Sequence, residues 1–177
     1  MDINIYKTPE ELADKLADHI INNHLNKNIA LSGGSTPLNL FKALSKKLDS
    51  IENECKFYWV DERCVPPESD DSNYKMANSF LFCSNNIKKE NIFRIKGEND
   101  PEEEVINYSK TLRKNLKLVN NLPSFELVIL GLGDDGHTAS IFPHELEKFK
   151  ESTDCVLATH PTSGQNRIKK KKKRKYI

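Results

Sequence analysis

Phe125-Glu-Leu-Val-Ile-Leu130-Gly-Leu-Gly-Asp-Asp-Gly-His137-Thr-Ala-Ser-Ile-Phe-Pro143 is an apolar run that empties into a glycine-rich, charged turn. Phe125 to Leu130 reads as a buried strand. Gly131, Gly133 and Gly136 then bend the chain, Asp134 and Asp135 flank His137, and Pro143 closes the segment. Such a turn exposes backbone N–H groups and sets an imidazole beside two carboxylates, which suits acid–base chemistry on a small anion. A second junction of this kind lies upstream, where Ile29-Ala-Leu31 feeds Ser32-Gly-Gly-Ser-Thr-Pro37. Glycine lets a ligand approach the backbone, and the helix begun at Pro37 offers free N–H groups at its positive end. Ser35 and Thr36 add hydroxyl donors, so a phosphate is the natural guest. The bland alternative is a tight turn with Thr36 as N-cap, and a capping role for His137.

Working outward, strands alternate with capped amphipathic helices. Ile3 to Tyr6 reads as a short strand. Thr8-Pro-Glu-Glu11 then opens a helix with Leu12, Leu16 and Ile20 on one face, beside Ala13, Ala17 and Ile21. Leu40, Phe41, Leu44 and Leu48 mark the next helix. Cys55 to Val60 is a third strand, Ser72 caps a helix carrying Tyr74, Ala77, Phe80 and Leu81, and Ile92 to Ile95 is another strand. Asp100-Pro-Glu-Glu103 repeats the cap before Val105, Tyr108, Leu112 and Leu116, and Cys155 to Thr159 is the last complete strand. This order predicts βαβ units and a mainly parallel sheet with helices on both faces, where ligands gather beyond the carboxyl ends of the strands.

Charge and composition narrow the function. The formal net charge is +1, yet residues 169–175 hold seven of the 27 basic residues, leaving 20 against 26 acidic ones and a body at −6. An acidic body argues against nucleic acid as a partner. No apolar run approaches the roughly 20 residues of a membrane helix, and the N-terminus carries no secretory pattern. Cys55, Cys64, Cys83 and Cys155 are widely spaced and read as reduced thiols of a cytosolic protein. The chain has 22 lysines and 18 asparagines against five arginines, a bias of AT-rich coding sequence, and the lysine run reads as an adenine tract or a frame error.

Three further features carry chemistry. Asp61-Glu-Arg63 ends the third strand, where Arg63 can grip a phosphate bidentately and Asp61 can orient a water or a sugar hydroxyl; the alternative is a surface charge cluster. Gly131, Gly133 and Gly136 satisfy G-x-G-x-x-G, but Asp134 and Asp135 would repel a pyrophosphate and no second βαβ half follows, so a dinucleotide is disfavoured. His137, His144 and His160 lack metal-ligand spacing, and no G-x-S-x-G nucleophile elbow occurs.

Ser32-Gly-Gly-Ser-Thr-Pro37, Trp59-Val-Asp-Glu-Arg63, Ser72-Asn-Tyr74 and Gly131 to Pro143 together resemble the 6-phosphogluconolactonase family, relatives of the glucosamine-6-phosphate deaminases, from Ile3 to about Ile168. The resemblance implies a three-layer, Rossmann-like α/β fold of the lactonase/deaminase type, incomplete at the C-terminus. Residues 1–168 would form the domain and 169–177 a basic low-complexity tail, because a family member would continue after Ile168 with another strand. It implies a carboxylic ester hydrolase of the pentose phosphate pathway, turning 6-phosphogluconolactone into 6-phosphogluconate in the cytoplasm without metal or organic cofactor. Gly33, Gly34, Ser35, Thr36 and Arg63 would hold the phosphate, with Arg167 completing the substrate-binding set. His137 would be the general base, with Asp135 and Asp61 as catalytic partners. The resemblance implies a sugar-phosphate lactone as the partner, no membrane, and glucose-6-phosphate dehydrogenase as pathway neighbour or fusion partner. Deaminase relatives carry a glutamate where Ala139 to Phe142 stand here, which ranks deaminase or isomerase chemistry second. A truncated, inactive sugar-phosphate binder is the third reading.

Overall fold

The computed structural model describes residues 2–48, 54–83, 87–132, 138–142, 147 and 154–171. Helix α1 (Pro9–His24) starts as its sequence dictates: Thr8 Oγ1 accepts from the Glu11 N–H at 3.1 Å and Pro9 takes the first turn. Its buried stripe is Ala13, Ala17 and Ile20, so the face is rotated from the expected one and leaves Leu12 exposed. Strand β1 (Asn28–Leu31) runs into α2 (Ser35–Leu48), whose Leu40, Phe41, Leu44 and Leu48 are buried as expected. Strand β2 (Lys56–Trp59) follows, then β3 (Asp61–Arg63), α3 (Asn73–Ala77) with a π-helical extension Asn78–Phe82, β4 (Ile92–Phe93) and α4 (Pro101–Asn115). The hairpin β5 (Leu118–Val119) and β6 (Leu122–Pro123) leads to β7 (Leu127–Val128), β8 (Cys155–Thr159) and β9 (Asn166–Lys170).

The central sheet is parallel throughout, in the order β4-β2-β1-β7, and helices flank it. Trp59 lies past the end of β4, and Tyr108 of α4 takes the place of the missing strand. Its hydroxyl donates to the Trp59 carbonyl at 3.0 Å and accepts from the Trp59 N–H at 2.9 Å. Buried residues of α1, α2 and α4 share one core with Phe57, Trp59 and Ile29 of the sheet.

Three expectations are corrected. Ile3 to Tyr6 forms no strand; Ile3 and Ile5 are 74% and 90% exposed, because alternation alone does not supply a pairing edge. The run Phe125 to Leu130 contributes only Leu127–Val128 to the ladder. Among the described residues it is the outer strand, and Val128 and Leu130 face outward while Ile129 is buried. The third correction concerns the C-terminal side. Asn166 to Lys170 is a strand at the centre of a second, antiparallel sheet ordered β3-β9-β8. The lysine run therefore begins inside that sheet. Lys169 is 2% exposed and donates to the Thr138 carbonyl, and Lys170 lies 4.4 Å over the Phe125 ring and donates to the Pro123 carbonyl. Long alkyl stems allow this burial while each ammonium finds an acceptor or a ring face. Residues 172–177 lie outside the described part.

The two sheets are joined at Val60. Its N–H continues the β1 ladder to the Leu31 carbonyl at 2.9 Å, and its carbonyl accepts from the Lys170 N–H at 2.8 Å. The chain leaves the parallel sheet at that residue and enters the antiparallel one.

Candidate active site

The glycine turn, the start of α2 and the antiparallel sheet meet at the carboxyl ends of β1 and β2 around a cavity of about 220 Å³. It is lined by Ser32 to Pro37, Asp61, Arg63, Asn73, Gly131, Leu132, Ala139, Ser140 and Arg167. Gly33, Gly34, Ser35, Thr36, Asp61, Arg63 and Arg167 are thus brought to one cavity from three separate stretches of chain. His137 and Asp135 lie outside the described residues, as do Asp134 and His144. The described flanks of that segment, Gly131 and Thr138, are joined by a bond from the Thr138 hydroxyl to the Gly131 carbonyl at 2.7 Å.

The turn is glycine for two reasons. A Cβ on Gly33 would stand 1.7 Å from Asn73 Oδ1, and Gly34 has φ +107°, a region that side chains disfavour. Helix α2 begins at Ser35, earlier than the expected start at Pro37. Ser35 and Thr36 therefore present first-turn N–H groups, which have no partner within a helix, toward the cavity that they line. Ser32 anchors the turn by donating to the Ile129 carbonyl at 2.7 Å.

Strand β3 alternates. Asp61 and Arg63 line the cavity, and Glu62 points into the protein, 2% exposed. Glu62 accepts from the N–H groups of Arg63, Asn73 and Tyr74, each at 2.8 Å, and from the Ser72 hydroxyl at 3.1 Å. Burial pushes its carboxyl up from the usual range, and these donors act against that shift. Glu62 thus fixes the start of α3, where Ser72 also caps as expected by accepting from the Lys75 N–H. The result is a placed Asn73. Its Nδ2 donates to the Asp61 carbonyl at 2.9 Å, and its Oδ1 is buried against Gly33 with no partner among the described residues.

Arg63 and Arg167 are direct partners across the β3–β9 ladder, so both side chains stand on one face of that sheet. Arg167 was expected ahead of a missing strand; it sits inside β9, flanked by β3 and β8. Desolvation, then the Arg63 charge, lower its pKa, while Asp61, Asp71 and Glu62 oppose the shift. Arg63 Nη1 donates to the Asp71 carbonyl, and Arg167 Nη1 donates to Ser140 Oγ at 3.3 Å. The Nε atoms of both arginines are buried without a partner among the described residues. Two cations that repel and hold unspent donors make a site for a multiply charged anion.

A buttress stands behind Arg63. Gly97 packs so closely that a Cβ there would lie 2.2 Å from the Arg63 carbonyl and 2.8 Å from that of Val65. The loop carrying Gly97 hangs from Glu104 of α4, which accepts from the Lys96 N–H and from Asn99 Nδ2, each at 2.9 Å. Glu62, Asn73, Ser140 and Glu104 had no assigned role in the sequence reading. Asn73 stood within a quoted motif, and Ser140 within the glycine-rich stretch, but neither residue type signals its pairing. His160 is structural: its Nδ1 accepts from the N–H groups of Thr162 and Ser163 in a turn.

A parallel α/β sheet with a cavity at the carboxyl ends of its strands, lined by a helix start and two arginines, places the chain in the class of α/β proteins whose ligand sites lie at that position. The chain belongs to the glucosamine-6-phosphate isomerase/6-phosphogluconolactonase family, whose pattern matches residues 6–170. It is 42% identical over 142 residues to the 6-phosphogluconolactonase of Treponema pallidum, spanning 79% of this chain and 59% of that protein. It is also 42% identical over 171 residues to the 6-phosphogluconolactonase of Haemophilus influenzae, spanning 93% of this chain and 72% of that one. The solved 6-phosphogluconolactonase of Trypanosoma brucei superposes with a TM-score of 0.81 at 28% identity, over 95% of this chain and 75% of that one. A monomeric glucosamine-6-phosphate deaminase, 19% identical with a TM-score of 0.77, shares the fold.

Proposed function

We propose that the chain hydrolyses 6-phosphogluconolactone to 6-phosphogluconate as a carboxylic ester hydrolase. The observation that carries this reading is the Arg63–Arg167 pair facing the glycine turn at the start of α2, which suits a phosphate dianion. Gly33, Gly34, Ser35 and Thr36 offer backbone and hydroxyl donors from one side, and the guanidinium groups close the other. Holding the phosphate far from the reacting carbon orients the lactone carbonyl. His137 is the proposed general base, oriented by Asp135: it takes a proton from water as the oxygen attacks that carbonyl, and the imidazolium then protonates the leaving ring oxygen. General-base catalysis of this kind supplies about 10²–10⁴-fold. Asp61, in the cavity wall, orients the water or a sugar hydroxyl.

The same reading places the reaction in the pentose phosphate pathway, with glucose-6-phosphate dehydrogenase as the neighbouring activity, and in the cytoplasm. Cys55, Cys64, Cys83 and Cys155 form no disulfide, and no helix among the described residues is long and apolar enough to cross a membrane. The test is lactone hydrolysis by the purified chain, against the spontaneous rate, with glucosamine 6-phosphate as the second substrate. Hydrolysis that is lost in His137→Asn, without ammonia release from the amino sugar, is expected. Binding of 6-phosphogluconate with no hydrolysis would identify an inert binder and overturn the reading.

A further inference from the structure

Ser140 occupies a backbone conformation that suits glycine. Thr138 and Ile141 form a β-bridge, with the Ile141 N–H donating to the Thr138 carbonyl at 3.0 Å. The two residues between them, Ala139 and Ser140, have φ +46° and +57°. Paired positive φ values define the tightest hairpin turn, whose preferred residues are asparagine and glycine. A serine held there is strained, and strain of this sort is kept where a side chain is needed.

The side chain has a use. Ser140 is 1% exposed, and its Oγ donates to Asp61 Oδ2 at 2.5 Å while accepting from Arg167 Nη1 at 3.3 Å. One hydroxyl therefore touches a carboxylate from β3 and a guanidinium from β9, and both groups line the cavity. A carboxylate free to approach that guanidinium would neutralise it, and the anion site would lose half its charge. We propose that Ser140 is a positioning residue: its hydroxyl is a spacer that keeps Asp61 and Arg167 oriented and apart, leaving Arg167 available to the substrate anion. For turnover this rests on the lactonase reading; for anion binding it stands independently.

Ser140→Ala and Ser140→Gly in the full chain separate the hydroxyl from the backbone. Glycine relieves the positive φ and alanine does not, so the glycine variant should melt higher than the alanine variant. If the hydroxyl is the spacer, both variants should bind inorganic phosphate about 10–100-fold more weakly, the loss expected for one bond to a charged group. Lactone turnover should fall alongside in both, despite their different stabilities. A glycine variant with wild-type phosphate affinity and turnover would overturn the proposal, and so would a wild-type chain that binds no phosphate. If the wild type binds phosphate without hydrolysing the lactone, and both variants lose that binding, the lactonase reading fails and the spacer stands.

Discussion

Arg63 and Arg167 face each other as direct cross-strand partners, two like charges on one sheet face, each with a buried Nε that no described residue satisfies. Like charges placed opposite each other in a sheet are destabilising, so the pair costs the unliganded fold and favours an anion-bound one. Arg63→Ala or Arg167→Ala should therefore weaken 6-phosphogluconate binding about 10–100-fold, given one or two charge-assisted bonds. Unphosphorylated gluconate should be nearly indifferent. Calorimetric titration with both ligands measures the contrast, and equal losses would remove the phosphate assignment.

The buttress predicts a sensitivity at a residue that does not itself line the cavity. Gly97→Ala would drive a methyl group into the Arg63 carbonyl, whereas a Cβ on Gly131 meets nothing within 4 Å among the described residues. Overpacking of this kind costs about 1–3 kcal/mol, a drop of roughly 2–4 °C per kcal/mol for a chain of this size. Gly131→Ala should melt close to wild type. If the two variants melt alike, the loop does not press on Arg63 as described.

Where the lysine run is cut should matter. A chain ending after Lys171 keeps every pairing of β9, while one ending after Ile168 loses the partners of Asp61, Cys155 and Val156 and the Lys170 contact with Phe125. We expect the first to melt near wild type and the second to lose several degrees together with phosphate binding. Equal melting of both would mean that the run contributes nothing to the sheet.

His24 supplies a pH dependence. It lies in the last turn of α1, where desolvation, then His19 and Lys27, lower its pKa below the ordinary 6.5. A lowered folded pKa means that the unfolded chain binds the proton more tightly, so stability is present above about 6.5 and is lost as pH falls through the folded value. Melting temperature should decline between pH 7 and pH 5, and His24→Gln should remove part of that decline. An identical slope in the variant would assign the acid sensitivity elsewhere.

Local chemistry was legible in the chain and long-range pairing was not. Thr8, Ser72 and Asp100 cap their helices as their types and positions dictate. The glycine turn falls between β1 and α2 because few other residues tolerate its geometry. Asp61, Arg63 and Arg167 were named as site residues and share one cavity. The antiparallel sheet escaped notice because Asp61–Arg63 is short and charged and β9 runs into lysines, so neither shows an apolar period. Ile3 to Tyr6 failed for the opposite reason, a good period without a partner. Glu62 and Ser140 were silent, since a buried carboxylate or a strained serine is defined by what surrounds it.

Val60 and the β3–β9 ladder have a consequence for the order in which the molecule assembles. Parallel pairs such as Asn28 with Lys56 close short stretches of chain, but Asp61 meets Lys169 only after more than one hundred intervening residues are gathered. Closing a longer loop costs more entropy and takes longer. The parallel core can nucleate on its nearer contacts, whereas the arginine pair exists only once β9 has docked. During synthesis the strands β1, β2 and β4 are available well before β9 emerges, so the two arginines come to share a sheet face later than the parallel core can form.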